Sequence, residues 1–215
     1  MFFTTSSRPQ SQGEEIANSI SHGIGLIAAL IGTPFLIFHS VEYGDAGIIV
    51  GVSIFLAAVI LLYLSSTLYH SLPMGKAKRV FRLIEHSAIF LLIAGTYTPF
   101  VLGLRGTWGW TLFGVIWGLA VVGVVLKILE KAPHPIIFTS LYLLMGWIIV
   151  VALDPLLDTM TATGLFWLIA GGFCYTVGVI FFATDSRLKY GHFIWHLFVL
   201  AGTTCHYFSV LGYVI

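Results

Sequence analysis

Seven long apolar runs separated by short polar stretches fill almost the whole chain: about 17 to 41, 47 to 71, 84 to 104, 108 to 126, 134 to 153, 162 to 183 and 191 to 213. Each is close to the roughly 20 residues a helix needs to cross a hydrocarbon core. The runs are too long and too evenly apolar for the ten-residue alternation of a barrel strand, and only helices and closed barrels satisfy the backbone in lipid. The pattern predicts an all-α integral membrane protein, a seven-transmembrane-helix bundle. A short cytoplasmic segment over 1–16 precedes a single transmembrane domain over 17–215.

Basic residues orient the bundle. With the N-terminus in the cytoplasm, Arg8, the loop cluster Lys76, Lys78, Arg79 and Arg82, then Lys127, Lys131, Arg187 and Lys189 all lie inside, and Arg105 alone lies outside. Nine of the ten basic residues then share one side. Glu42, Asp45, Asp154 and Asp158 fall in the opposite loops, and the odd number of spans puts Ile215 outside.

Composition narrows the class. At 58% hydrophobic and 9% charged over 215 residues, with mean hydropathy +0.99, the chain has too little polar surface to coat a soluble globule and no room for a second domain. The formal charge of +1 supplies no basic stripe for nucleic acid, so membrane lipids are the expected partners. MFFTTSSRPQSQGEE has no apolar core ahead of a cleavage site, which predicts no removable signal peptide. Cys174 and Cys205 both fall inside spans and are expected as buried free thiols.

Several residues have local readings. Trp108, Trp110 and Tyr213 sit at span ends, where amphipathic rings anchor at the interface. Gly114 and Gly118 form a small-x-x-x-small pair that would let another helix approach, while Pro34 and Pro99 are candidate kinks.

The polar residues converge at one depth. His192 and His196, one helical turn apart, open the last span, and Ser66 and His70 repeat that spacing at the end of the second. Glu85 starts the third span, and Glu15, Asn18 and His22 start the first, all at the cytoplasmic end. Unpaired burial would cost several kcal/mol per group, so a shared partner is the economical explanation. Three imidazoles with one open position is a familiar zinc arrangement, which makes His70, His192 and His196 candidate ligands. A buried polar network is the alternative. His39, His86 and His134 are expected to be ordinary hydrogen-bonding residues. His206 lies ten residues past His196, about 15 Å along the helix, too deep for the same metal, and is read as a buried hydrogen-bonding residue.

At these residues the sequence resembles the hemolysin III family, the bacterial branch of the family that contains the progestin and adiponectin receptors. The resemblance rests on EEIANSISHGIG at 14–25, SSTLYHSL at 65–72, EHSAIFLLIAGTYTPF at 85–100, GWIIVVAL at 146–153 and HFIWHLFVLAGTTCHYF at 192–208. It implies a multi-pass protein of the inner cell membrane with zinc held on the cytoplasmic side by His70, His192 and His196. The family's Ser before the first ligand corresponds to Ser66, and its usual Asp at the start of the third helix is Glu85 here, one methylene longer.

Kinship with membrane ceramidases implies a chemistry, zinc-dependent hydrolysis of a lipid amide. Zinc would lower the pKa of a water toward ~7, Glu85 would take its proton and Ser66 would assist. The competing reading is a non-enzymatic protein with structural zinc, acting in membrane homeostasis, lipid sensing or cytolysis. An enzyme requires a lipid-accessible cavity reaching the metal; a staple requires a closed four-ligand site, with Glu85 as the fourth ligand. A conducting pore is disfavoured because the outer half of the bundle has few polar side chains.

Overall fold

The computed structural model describes residues 8–104, 106–129 and 135–214. Arg105, Lys131, His134 and Ile215, used above for orientation or hydrogen bonding, lie outside the described residues. The helices are α1 (Gln12–Tyr43), α2 (Ala46–Ser71), α3 (Lys76–Gly103), α4 (Thr107–Ile128), α5 (Pro135–Trp147), α6 (Leu153–Thr159), α7 (Ala162–Thr184) and α8 (Gly191–Val214), with no strand among the described residues. A 3-10 turn over Ile148–Ala152 joins α5 to α6. Among the described residues, seven segments are long and apolar enough to cross a membrane, the fifth being Ile137–Thr159.

Amphipathicity is inverted relative to a soluble helix. In α1 the isoleucines 16, 20, 24, 27 and 31 form an exposed stripe, while Asn18, Ser21 and His22 are buried. Lipid accepts the apolar face, and polar groups must find partners inside. α3 is the central helix, packed on α2, α4, α5 and α8, with α1 closing the ring between α2 and α8.

Caps define several starts. Ser11 accepts from the Glu14 N–H and Glu14 accepts back from the Ser11 N–H, a reciprocal capping box that begins α1 five residues before the expected span. Asp45 accepts from the Ile48 N–H at 3.0 Å, and Thr161 from the Gly164 N–H at 3.1 Å. Gly106 turns between α3 and α4 at φ +94°, where a side chain would be strained.

The structure corrects several expectations. Lys76, Lys78, Arg79 and Arg82 form the first two turns of α3, not a loop. Lys78 is buried there; its Nζ donates to the carbonyls of Tyr69 at 2.9 Å and Leu72 at 3.2 Å, satisfying the end of α2. Asp154 and Asp158 sit in α6 rather than a loop. The fifth span is broken because Tyr97 of α3 inserts its hydroxyl into the ladder. The hydroxyl lies 2.7 and 2.9 Å from the carbonyls of Met145 and Gly146 and accepts the Ile149 N–H at 2.8 Å.

Gly114 and Gly118 are exposed, with nothing within 4 Å of an added Cβ, so no helix packs there. The close approaches lie elsewhere: a Cβ on Gly51 would fall 2.6 Å from the Pro99 Cα, and one on Gly95 would fall 2.8 Å from the Ala58 Cβ. α1 and α3 run through Pro34 and Pro99 as single helices. Trp108 and Trp110 are exposed, as interface anchors would be, but Tyr213 packs on Gly103 and its hydroxyl reaches the Phe100 carbonyl at 3.5 Å. Cys174 and Cys205 are free as expected, though half-buried rather than enclosed.

Candidate metal centre

Four helix segments meet at one end of the bundle. The start of α1 brings Asn18, Ser21 and His22; the end of α2 brings Ser66 and His70; α3 brings Glu85; and the first turns of α8 bring His192 and His196. His70, Glu85, His192 and His196 each offer one ligand atom, and these atoms all lie within 4.8 Å of one another. The three ring centroids are 4.8 to 5.2 Å apart. The expected histidines therefore converge, and Glu85 joins them.

Each of the three rings is held by Nδ1. The His70 Nδ1 donates to Glu15 Oε2 at 2.7 Å, and the His192 Nδ1 to Asp185 Oδ2 at 3.0 Å. The His196 Nδ1 lies 3.2 Å from the Asn18 carbonyl and 3.1 Å from Ser21 Oγ, which itself donates to that carbonyl. Carboxylates and carbonyls only accept, so the N–H is on Nδ1 and the lone pair on Nε2 in all three. Carboxylate or carbonyl behind imidazole is the usual support of a metal-bound histidine.

The fit to a metal ion rests on orphaned atoms. Nε2 of His70 and of His192 are buried without a hydrogen-bond partner among the described residues, a costly state that an ion among them would relieve. Glu85 Oε1 lies 3.6 Å from the His70 Nε2, too long for a hydrogen bond. Glu85 Oε2 is equally far, 3.6 Å, from the His86 Nδ1, which donates to the Arg82 carbonyl at 2.7 Å.

Ser66 takes a different place from its neighbour His70. Its Oγ is 2.7 Å from the Nδ1 of His22, and His22 in turn lies flat on His196, so Ser66 meets the cluster through another imidazole. His39 bonds the Phe35 carbonyl at 2.8 Å, and His206 the Leu168 carbonyl at 3.3 Å, as expected of hydrogen-bonding histidines.

Sequence reasoning missed Asp185, which belongs to the turn after α7 and carries no helical spacing to His192. It also left His22 without a role. Glu14 is a third unassigned residue: Arg8 donates to its carboxylate, which also accepts the Tyr190 N–H at 2.8 Å and so ties the start of α1 to the turn before α8. Tyr190 holds a left-handed backbone, φ 61°, at that join.

A cavity of about 200 Å³ runs from this cluster between α3, α5, α6, α7 and α8. Glu85, His192 and His196 form part of one end and His206 another part of its wall. Trp147, Val150, Leu153 and Ile169 line it and also stand exposed on the outer face of the bundle, so the cavity is accessible from the lipid side between α5–α6 and α7. The Trp147 Nε1 donates to Thr176 Oγ1 at 3.2 Å across that gap.

Comparison with known proteins shows the family. Residues 10–207 match the family described as Haemolysin-III related. The chain is 46% identical over 203 residues to Hemolysin-3 of Bacillus cereus, covering 94% of this chain and 92% of that one. It is 45% identical over 201 residues to the Hemolysin-3 homolog of Bacillus subtilis (strain 168), covering 93% and 94%. A more distant similarity, 27% over 207 residues and 93% and 84% of the two chains, links it to the human Monocyte to macrophage differentiation factor. With seven apolar helices, a convergent His/Glu cluster and a match over nearly its full length, the chain belongs to the haemolysin III family of multi-pass membrane proteins.

Proposed function

We propose that this protein is a zinc-dependent hydrolase of lipid amides in the inner cell membrane, with its site on the cytoplasmic side. The observation that carries the reading is that the His/Glu cluster forms one end of an apolar cavity reachable from lipid. Three imidazole nitrogens and a carboxylate oxygen form the mixed donor set that zinc accepts, and two of those nitrogens have no other partner among the described residues. The bias of basic residues toward one side supports the orientation.

His70, His192 and His196 would hold the ion, oriented by Glu15, Asp185 and Asn18. When bound, zinc supplies Lewis acidity that polarises a carbonyl and makes water a better nucleophile at neutral pH. Glu85 takes one proton from the attacking water and passes it to the leaving nitrogen as the C–N bond breaks and the C–O bond forms. The products are a fatty acid and an amine. The cavity wall binds the apolar chain and keeps bulk water from the reacting carbonyl. Ser66 acts on His22 and, through its stacking, on His196, which makes it a positioning residue.

A second reading has one observation in its favour: Glu85 is near enough to complete a closed four-ligand set, as in a structural staple of α2, α3 and α8. The deciding experiment measures zinc content and hydrolysis of a ceramide-like amide on detergent-purified wild type, Glu85→Gln and the His192→Ala, His196→Ala double variant. One zinc per chain in wild type and Glu85→Gln, lost in the double variant, with hydrolysis only in wild type, supports the enzyme. Zinc without hydrolysis in wild type, and a fall in thermal stability when it is lost, establishes the staple.

A further inference from the structure

Of the basic residues at 76, 78, 79 and 82, Lys78 alone is turned inward: it is 6% exposed, whereas the other three are exposed. A buried ammonium must find acceptors for its three N–H groups. Lys78 finds three, on two other helices. Its Nζ donates to the Tyr69 carbonyl at 2.9 Å and the Leu72 carbonyl at 3.2 Å, and lies 3.0 Å from Glu15 Oε1. The carbonyls belong to the last turn of α2 and its C-cap, where any donor would serve. The carboxylate is what calls for a charge.

These contacts surround His70. Tyr69 precedes it in the chain, Leu72 lies two residues beyond it, and Glu15 Oε2 accepts from its Nδ1 at 2.7 Å. The two oxygens of Glu15 are thus divided between the imidazole and the ammonium. The Glu15 side chain is 23% exposed, so without a cation beside it water competes for the carboxylate. A charge-assisted bond to Lys78 holds it in place behind the ring.

We propose that Lys78 is a positioning residue of the metal centre: by pairing with Glu15 it holds the carboxylate that aims the His70 Nε2 at the ion. The inference rests on reading the His/Glu cluster as the zinc site and assigns part of its affinity to the first turn of α3. The sign of the effect is diagnostic. A lysine near a cation repels it, so by Coulomb's law alone removing Lys78 would tighten zinc binding. Positioning through Glu15 predicts the reverse.

The test measures zinc affinity by chelator competition on full-length, detergent-purified wild type, Lys78→Met, Glu15→Ala and the double variant. Lys78→Met is expected to weaken zinc binding about three- to tenfold, less than the loss of a group that touches the ligand directly. In the Glu15→Ala background the same substitution is expected to leave affinity unchanged or to raise it, because the route through the carboxylate is already gone. If Lys78→Met fails to fold, Lys78→Gln, which keeps a donor for the α2 carbonyls, serves in its place; Glu15→Gln likewise replaces Glu15→Ala. Zinc held by Lys78→Met as tightly as by wild type, or more tightly, overturns the assignment while leaving the metal centre intact. Equal weakening with and without Glu15 overturns it as well, since Lys78 would then act through the end of α2. A wild type that binds no zinc removes the metal reading and the inference with it.

Discussion

The ring of His22 lies flat on the ring of His196, with centroids 3.6 Å apart and planes within 1° of parallel. One ring comes from α1 and the other from α8, 174 residues later. The contact fixes the plane of a candidate ligand, and the His22 Nδ1 to Ser66 Oγ bond fixes His22 in turn. Three helices thus determine the aim of one nitrogen.

Removing that support is expected to weaken metal binding without removing a ligand. His22→Ala is expected to lower zinc affinity about tenfold or more, as loss of supporting contacts does in other metal sites, and His22→Phe, which keeps a flat ring, to recover part of it. Chelator competition measures this directly. Affinities indistinguishable from wild type in both variants would show that His22 only fills space.

The carboxylates behind the other two imidazoles carry the same logic. Glu15→Gln and Asp185→Asn each keep the size of the side chain but weaken the acceptor for an Nδ1–H. Each is expected to cost about 10- to 100-fold in zinc affinity. Ser53→Ala, at an exposed position of α2 whose hydroxyl bonds the Ile49 carbonyl, is the control and is expected to bind zinc as wild type does. A wild-type zinc affinity in both Glu15→Gln and Asp185→Asn is the result that would refute the support.

Glycine substitutions separate packed from lipid-facing positions. Gly51→Ala would drive a methyl into the backbone of Pro99, 2.6 Å from its Cα, and is expected to destabilise by about 1–3 kcal/mol. Gly118→Ala meets nothing within 4 Å and is expected to be neutral or slightly stabilising, since alanine is the better helix former. Thermal denaturation in one detergent compares them, and equal midpoints would contradict the packing of α2 on α3.

The number of spans was legible because hydrocarbon thickness sets a length that the apolar runs meet one by one. The convergence of His70, His192 and His196 was legible because polar groups at one depth in so apolar a chain have few places to go. The Gly114–Gly118 expectation failed for the complementary reason: α4 is apolar on every side, so periodicity does not say which face meets lipid and which meets a neighbour. The break after Trp147 was equally hidden, since it depends on a hydroxyl arriving from Tyr97, and the basic residues of 76–82 read as a loop although Lys78 caps the end of α2.

By itself the sequence determined a helical membrane bundle and the spacing of the i, i+4 histidine pair, because both depend on local length and local periodicity. Tertiary structure alone decided that Glu15 and Asp185 stand behind His70 and His192, and that His22 comes between Ser66 and His196. It likewise decided that a cavity leads from Glu85 past His206. Those relations join residues far apart in the chain, and only the packing of helices with similarly apolar surfaces selects which faces meet.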